Sequence, residues 1–309
     1  MNPTLSPQAR RARTLLFVCF TIVYLVWGST YLAIRVAVET LPPFLLAGAR
    51  FLLAGVVLLL WLRLRGTAWP SRRQWRHATI VGVLLLAGGN GLVVWAEQSV
   101  PSALAALLVA LTPVWFALLE WVRPRGLRPS VQAVIGIVVG FGGVVLLVSG
   151  QNALLSGGTV NYWGILALVL AGASWAAGSL WSRYHDHPAS PWMTAAAQMT
   201  SGGAALLVIA LVRGEAGQFA AGHASGRSWL ALAYLVVFGS WVAFSAYIYL
   251  LKASTPPRIA TYAYVNPVIA VFLGRLVLGE TLSQQSLWAA AIILAGVVIT
   301  TLPAKNPSP

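Results

Sequence analysis

The chain of 309 residues is 59% hydrophobic and only 8% charged, and its mean hydropathy is +0.80. Soluble globular domains carry about 25% charged residues, so this composition excludes a soluble enzyme and a soluble binding module. The formal net charge of +14 would suit a nucleic-acid partner, but no RNA- or DNA-binding motif accompanies it. We therefore predict an all-α integral membrane protein.

Ten apolar segments are long enough to cross a bilayer, which takes about 20 residues per helix. The predicted transmembrane spans cover residues 15–34, 44–62, 78–97, 101–121, 130–149, 161–182, 190–212, 228–251, 257–278 and 285–302. The loops between these spans are too short to fold as separate domains. Any function must therefore lie inside the helical bundle.

The basic residues concentrate on one side of this predicted bundle when the N terminus is placed inside the cell. Fifteen of the 20 fall there, namely Arg10, Arg11, Arg13, Arg63, Arg65, Arg72, Arg73, Arg76, Arg123, Arg125, Arg128, Arg183, Lys252, Arg258 and Lys305. Such a bias follows the positive-inside rule, so we interpret the charge as a topology signal and expect no nucleic-acid partner. The tails 1–14 and 303–309 are then cytoplasmic, and the basic loop 63–77 is a solvated anchor beside anionic lipid.

The second half of the chain repeats the first at an offset of 148 residues. Trp27 precedes Arg35 by eight residues, and Trp175 precedes Arg183 by the same number. The same offset pairs Pro43 with Pro191, Arg50 with Gln198, and Gly55 with Gly203. The sequence therefore indicates an internal duplication.

Each half of the duplication holds five predicted spans. The halves cover residues 15–149 and 161–302, and an uncharged extracytoplasmic linker at 150–160 joins them. Because five is an odd number, the second copy must enter the membrane in the opposite direction from the first. Inverted repeats of this kind are typical of secondary transporters, which bind their substrate near mid-depth between the repeats.

Helix-disturbing residues mark the middle of several predicted spans. The run Gly88-Gly89-Asn90-Gly91 permits either close helix contact or a break that exposes backbone groups to a cavity. Asn90 favours the cavity, because an amide at mid-depth needs a polar partner. Pro113 and Pro267 predict bends in spans four and nine, which serve either as hinges or as tolerated kinks.

Two ionisable side chains are predicted to be buried charges. Arg50 either ties the second span to Glu39, Glu97 or backbone carbonyls, or it contacts the substrate directly. Glu97 lies near the outer end of the third span and is the one acid in the bundle placed to carry a proton. In spans five and ten, Gly140 and Gly296 predict close helix packing or a dimer face rather than a ligand site.

With these features placed, the chain resembles the drug/metabolite transporter superfamily, EamA type. The resemblance rests on the duplicated Trp27-Gly28-Ser29 segment, Ala49-Arg50-Phe51, Pro113, Pro267, the run Leu278-Gly279-Glu280-Thr281-Leu282 and Gly296, in that order along the chain. One departure is Arg125-Gly126, which stands where the first repeat of many relatives carries Gly-Glu.

The chain is most similar to the YddG-type exporters of that superfamily, which move aromatic and other neutral amino acids out of bacteria. This resemblance implies a ten-helix protein of the inner membrane. It also implies a central cavity lined by helices of both repeats, with the fifth and tenth helices at the periphery.

No catalytic or cofactor-binding motif is present. The sequence lacks His-Glu-x-x-His, Gly-x-Ser-x-Gly and a phosphate-binding glycine loop. His185 and His187 flank Asp186, where we favour a solvated turn over a metal site because no third ligand is evident. The one cysteine, Cys19, cannot form an intramolecular disulfide. We therefore expect no enzyme activity, no cofactor and no metal.

The predicted bundle interior is rich in aromatic and neutral polar side chains instead. The candidate substrate-binding residues are Tyr24, Trp27, Asn90, Thr112, Trp115, Trp163, Ser174, Trp175, Ser179, Tyr262 and Asn266. Aromatic faces and carbonyls suit an ammonium group, amides and hydroxyls suit a carboxylate, and no basic cluster for a phosphate is visible.

We therefore predict a secondary transporter that exports neutral, especially aromatic, amino acids and related metabolites by alternating access. Its partners are a small-molecule substrate and membrane lipid, and it is a monomer or a weak homodimer. The alternatives are an exporter of other drugs or metabolites with proton coupling, a channel and a membrane scaffold.

Overall fold

The computed structural model describes residues 7–123, 130–149, 161–188, 190–219, 224–254, 259, 261–279 and 284–301, and the regular secondary structure of these residues is helical throughout. The long helices are α1 (Pro7–Ala37), α2 (Pro43–Leu64), α3 (Arg72–Ala96), α4 (Ser102–Val122), α5 (Val131–Ser149), α6 (Tyr162–Tyr184), α7 (Pro191–Val212), α8 (Gly226–Ala253), α9 (Tyr262–Leu278) and α10 (Gln284–Thr301). A one-turn helix, Glu215–Gln218, lies between α7 and α8.

Seven of these helices, α1 to α4 and α6 to α8, are long and apolar enough to cross a membrane. The apolar stretches of α5, α9 and α10 are shorter, at Val134–Gly143, Val265–Leu278 and Leu287–Gly296. An all-helical, multi-pass membrane protein is therefore confirmed for the described part of the chain. Ten spans and their inverted arrangement stay predictions, and the linker 150–160, Arg125 and Glu280 lie outside the described residues.

Two helices begin earlier than the apolar pattern predicts. α3 begins at Arg72, inside the stretch predicted as a cytoplasmic loop, and α1 begins at Pro7, inside the predicted tail. Ser71 caps α3, because its hydroxyl accepts the Gln74 N–H at 3.2 Å while the Gln74 side chain accepts the Ser71 N–H at 3.0 Å. Such a capping box satisfies the free amides of the first turn, so the helix extends beyond its apolar portion.

The halves of the chain interlock through helices that occupy corresponding places in the two halves. α2 packs along α7, and α5 packs along α10. At the first contact a side chain on Gly55 would meet the backbone of Thr200, and a side chain on Gly203 would meet the backbone of Leu52. Glycine therefore sets the helix separation at equivalent places in both halves. Gly296 likewise lies against the α5 backbone, so the predicted glycine packing joins α5 to α10.

The central parts of α3 and α8 are π-helical rather than α-helical. The π segments run from Val83 to Gly91 and from Leu235 to Phe244, at corresponding places in the two halves. A π segment hydrogen-bonds i to i+5 and is commonly found at functional sites. In both segments a neighbouring side chain binds a backbone carbonyl: Ser174 donates to Leu84 at 2.7 Å, and Arg50 donates to Leu235 at 3.2 Å.

The two predicted hinge prolines have different local structures. In α4 the regular helix stops at Val109 and resumes at Thr112, so Pro113 lies in a new first turn, where its missing N–H costs nothing. Pro267 lies inside α9, five residues after the helix begins at Tyr262. Both prolines interrupt helix hydrogen bonding next to residues that line the central cavity, Val109 and Asn266.

Candidate functional site

A central cavity lies among α1, α2, α3, α6, α8 and α9, with one side chain from α4. Its volume is about 60 Å³, and its lining residues are Trp27, Thr30, Tyr31, Ile34, Arg50, Phe51, Leu86, Gly89, Asn90, Val93, Val109, Ala171, Trp175, Gly239, Phe244, Tyr262 and Asn266. This volume holds a few water molecules, whereas small-molecule pockets typically measure about 300–1,000 Å³. The structure therefore shows the cavity in a nearly closed conformation.

Three aromatic side chains that line the cavity, Trp27, Trp175 and Tyr262, all contact Tyr247, and we call these four residues the aromatic quartet. The Trp27 ring centroid lies 5.3 Å from that of Trp175, 4.8 Å from that of Tyr247 and 5.6 Å from that of Tyr262. The Trp175 indole donates to the Tyr247 hydroxyl at 3.0 Å. The quartet thus joins α1, α6, α8 and α9 through side-chain contacts.

Ser179 and Thr112 support the quartet from outside the cavity. The Ser179 hydroxyl lies 2.8 Å from the Tyr247 hydroxyl and donates to the Trp175 carbonyl at 2.7 Å. The Thr112 side chain hydrogen-bonds the Tyr262 hydroxyl and donates to the Val109 carbonyl at 2.6 Å. Both hydroxyls therefore orient aromatic rings, and they reach a ligand only through those rings.

Two amide side chains also line the cavity. Asn266 is 3% exposed and Asn90 is half-buried. The side-chain oxygen of each is buried and accepts no hydrogen bond from the described residues. A buried amide oxygen without a donor costs free energy, so both oxygens are available to a ligand or to water.

Arg50 reaches the cavity from α2 and is 3% exposed. Its Nε donates to the Leu235 carbonyl at 3.2 Å and to the Ser240 hydroxyl at 2.9 Å, and its guanidinium lies 4.4 Å from the Phe51 ring centroid. A side chain on Gly239 would collide with this guanidinium. Of the two predicted structural partners, acids and backbone carbonyls, the structure shows a carbonyl.

The predicted binding residues divide into three groups. Trp27, Asn90, Trp175, Tyr262 and Asn266 line the cavity. Thr112 and Ser179 lie behind the quartet and orient its rings.

The remaining predicted residues lie away from the cavity. The Ser174 hydroxyl donates a hydrogen bond to the backbone carbonyl of Leu84 in α3. The Tyr24 hydroxyl hydrogen-bonds that of Thr261, and the Trp115 ring packs edge-to-face on Phe141 with 6.1 Å between the ring centroids. Trp163 is 72% exposed at the start of α6, so the structure does not bring it to the cavity. Its helix leaves it on the outer surface of the bundle.

Tyr247 is not predicted from the sequence, although it packs against three lining residues of the cavity. It is fully buried and contacts the other three quartet members. The π segments begin at 83 and 235, a spacing of 152 residues that relates Tyr247 to Trp95, but this relation appears only in the structure because the hydrophobic pattern does not reveal π segments. The lining residues Tyr31 and Phe244 also lack a sequence signal, since aromatic residues are common throughout the spans.

Glu97, the second predicted buried charge, is 0% exposed at the end of α3. Its backbone carbonyl accepts a hydrogen bond from Arg35. Its side chain lies close enough to Tyr31 for the two groups to interact electrostatically. Tyr31 lines the cavity, whereas Glu97 does not.

A histidine cluster lies at the end of the bundle predicted to be cytoplasmic. The His185 ring stacks on Trp181 at 4.1 Å and lies 4.8 Å from the buried His77 ring. Nearby His187 is half-buried, and burial lowers its pKa to about 4. No group of three or more metal-binding side chains occurs among the residues with described positions.

Comparison with known proteins identifies the family. The profile of the EamA-like transporter family matches the chain twice, at residues 14–149 and 162–302. The inner membrane transporter YedA of Escherichia coli is 41% identical to this chain, over 93% of the chain and 90% of YedA. The transporter YvbV of Bacillus subtilis is 24% identical over 96% of the chain and 94% of its own length.

More distant proteins also match most of the chain. A chloroplastic WAT1-related protein of Arabidopsis thaliana is 23% identical over 91% of the chain and 68% of its own length. One solved crystal structure aligns with a TM-score of 0.65 over 94% of the chain and 98% of that chain, and its 22% identity makes it a likeness of fold alone. With both halves matched by one profile and a relative of 41% identity, the chain belongs to the EamA-like transporter family of the drug/metabolite transporter superfamily and is a multi-pass transporter of the bacterial inner membrane.

Proposed function

We propose that this protein exports neutral, especially aromatic, amino acids and related small metabolites by alternating access at the central cavity. The observation that carries the proposal is the composition of the cavity, which is lined by three rings of the aromatic quartet and by two asparagine side chains. Aromatic rings favour an apolar, planar side chain, and amides suit the polar groups of a molecule whose net charge is zero. A small amphipathic molecule matches this combination of side chains.

Alternating access is supported by the way the two halves meet. The cavity draws residues from both halves, such as Trp27 with Trp175 and Asn90 with Asn266. It is bounded by the π segments of α3 and α8, and next to it lie Pro113, where α4 is interrupted, and Pro267, inside α9. In an inverted repeat, rocking of one half against the other opens such a cavity to each side in turn.

The predicted organisation of the chain belongs to the same proposal. In it, five-helix units at 15–149 and 161–302 are joined by an outer linker at 150–160, and ten spans place both tails in the cytoplasm. We further propose that the transporter functions as a monomer or a weak homodimer.

Efflux from vesicles tests the proposed substrate. Liposomes that contain the purified protein and are loaded with labelled phenylalanine or threonine should release the label faster than loaded liposomes without protein do. The rate of release should saturate with substrate concentration. Trp175→Ala should slow this release at least tenfold, because it removes a cavity wall. Trp61→Ala is the matched control, since Trp61 is 50% exposed on α2 and should leave the rate unchanged.

Other outcomes separate the alternatives. No release above the empty vesicles for either amino acid would reject the proposed substrate class. Release that rises in proportion to concentration without saturating would indicate a channel. A protein that releases nothing but retains a bound protein through purification would support the scaffold.

A further inference from the structure

Arg50 is the one charged side chain among the described residues that line the central cavity. Only its Nε is used to bind the π segment of α8, through Leu235 and Ser240. Its Nη1 is buried and has no hydrogen-bond partner among the described residues. A role confined to tying α2 to α8 accounts for Nε but not for a second buried donor on the cavity side.

The unpartnered atoms of the cavity complement one another. Arg50 contributes a positively charged donor, and Asn90 and Asn266 contribute two neutral acceptors. Each such buried group is costly to leave unpaired. Together they describe a ligand that carries a negatively charged acceptor at one point and N–H donors at another, beside an apolar portion that meets the aromatic quartet.

We propose that Arg50 binds the carboxylate of the transported molecule, while Asn90 and Asn266 accept hydrogen bonds from its ammonium group. This inference rests on the proposed transport function and names the chemical group that the cavity selects. A guanidinium binds a carboxylate through paired, charge-assisted hydrogen bonds. Amines that lack a carboxylate are then poor ligands, whatever their side chain.

The charge of the cavity favours a carboxylate over a phosphate. A phosphate monoester carries a charge of about −1.5 to −2 at neutral pH, and Arg50 supplies a single positive charge. A bound phosphate would leave excess negative charge in a buried site, which is costly. A carboxylate neutralises Arg50 completely, and the bound ammonium adds a charge that the amide oxygens and ring faces solvate.

Matched probe molecules test this assignment whatever the natural substrate is. Binding of phenylalanine, 3-phenylpropionate and 2-phenylethylamine to the purified full-length protein is measured by tryptophan fluorescence and by thermal shift. In the wild type we expect 3-phenylpropionate to bind at least about tenfold more tightly than 2-phenylethylamine, which has the ring and the ammonium but no carboxylate. Equal affinities for these two probes would overturn the proposal.

Substitution of Arg50 then shows which residue confers the preference. Arg50→Gln should weaken binding of phenylalanine and 3-phenylpropionate about ten- to a hundredfold, with little change for 2-phenylethylamine. Arg50→Lys keeps the positive charge but loses the planar guanidinium that makes two parallel hydrogen bonds. It should therefore retain part of the preference for probes with a carboxylate. Arg63→Gln is the matched control, because Arg63 lies on the same helix with an exposed side chain.

A merely structural role for Arg50 predicts a different pattern, in which all three probes weaken together. Unchanged binding of the carboxylate probes to a monodisperse Arg50→Gln protein also contradicts the assignment. If Arg50→Gln does not fold, Arg50→Lys and the wild-type probe ratio decide the question.

The experiment separates this inference from the proposed substrate. If phenylalanine is neither bound nor released, but 3-phenylpropionate and 4-methylpentanoate bind in an Arg50-dependent manner, the substrate proposal fails and the carboxylate site stands. If phenylalanine is exported while probes without a carboxylate bind equally well, transport stands and the carboxylate site fails. If the wild type binds no carboxylate probe, both fail.

Discussion

His187 illustrates how one buried side chain makes stability depend on pH. Burial lowers its pKa from the ordinary 6.5 to about 4, and the nearby Lys252 and His77 add to this effect, although Asp186 and the Ser182 backbone oppose it. The unfolded chain therefore takes up a proton at His187 as the pH falls below about 6.5, while the folded chain does not until the pH nears 4. The stabilising effect of the neutral His187 is fully present above pH 6.5 and is lost progressively as the pH falls from about 6.5 to about 4.

We expect His187→Asn to flatten that dependence. The wild-type protein in detergent should lose more thermal stability than the variant when the pH is lowered from 7.5 to 4.5, because only the wild type carries the titrating ring. The measurement is the temperature at which half the monodisperse peak is lost on size exclusion, at each pH. Identical slopes for the two proteins would show that His187 does not carry the effect, and His187→Gln should behave as His187→Asn does.

The sequence identifies individual cavity residues only where their chemistry is unusual for a membrane span. Asn90 and Asn266 are mid-span amides, and Arg50 is a mid-span charge, so each stands out among apolar neighbours. The direction in which a side chain points is set by helix rotation. Trp175 lines the cavity while Trp163, twelve residues earlier on α6, is exposed. Composition gives no way to tell these two tryptophans apart.

Helix crossings are the features of this fold that tolerate least change. At the contact of α2 with α7, an added methyl on Gly203 would meet the backbone of Leu52, which cannot move aside as a side chain could. We expect Gly203→Ala to lower the free energy of unfolding by about 1–3 kcal/mol, the usual cost of overpacking. Thermal denaturation of the purified protein, followed by size exclusion, measures the loss.

Gly142 provides the matched control for this substitution. It also lies in a long helix, α5, but an added methyl there meets nothing within 4 Å. Gly142→Ala should therefore leave the melting temperature unchanged or raise it slightly, because alanine favours helix. Equal losses for Gly142→Ala and Gly203→Ala would show that helix propensity, rather than the α2–α7 contact, governs both.

At the scale of helices the duplication is the most productive sequence signal. The 148-residue offset pairs Gly55 with Gly203, and the structure places both at one helix crossing. The π segments are not predictable in this way, since the hydrophobic pattern of a membrane span barely changes when one hydrogen-bond ladder replaces another. The glycine run at 88–91 marks the first π segment, but it predicts only close packing or a break.

The proposed inverted arrangement of the halves makes a prediction about the whole molecule. In a Cys19→Ala background, a cysteine at Thr67 should react only with a thiol reagent supplied from the cytoplasmic side. A cysteine at Ser156, in the linker, should react only with reagent from the outside. Intact cells treated with a membrane-impermeant maleimide, compared with inverted vesicles, give the readout, and the cysteine-free protein gives the background.

Labelling of the cysteines at positions 67 and 156 from the same side would contradict the inverted repeat, and with it the proposal of alternating access. The composition, the charge bias and the apolar segments predict a multi-pass membrane protein, and the duplication with the family resemblance predicts a transporter of the inner membrane. The family comparison confirms both. The closed state of the cavity could not be predicted, because it depends on how the quartet rings pack across four helices.

The pairing of Arg50 with Gln198 across the duplication has an energetic consequence for a rocking transporter. If the two halves were identical, the inward-open and outward-open conformations would have the same free energy. An empty carrier would then spend equal time in each. Here one half places a cation against a π segment while its counterpart places a fully buried, neutral amide. That asymmetry lifts the degeneracy, so we expect the empty carrier to have a preferred resting orientation, which a bound anion would shift.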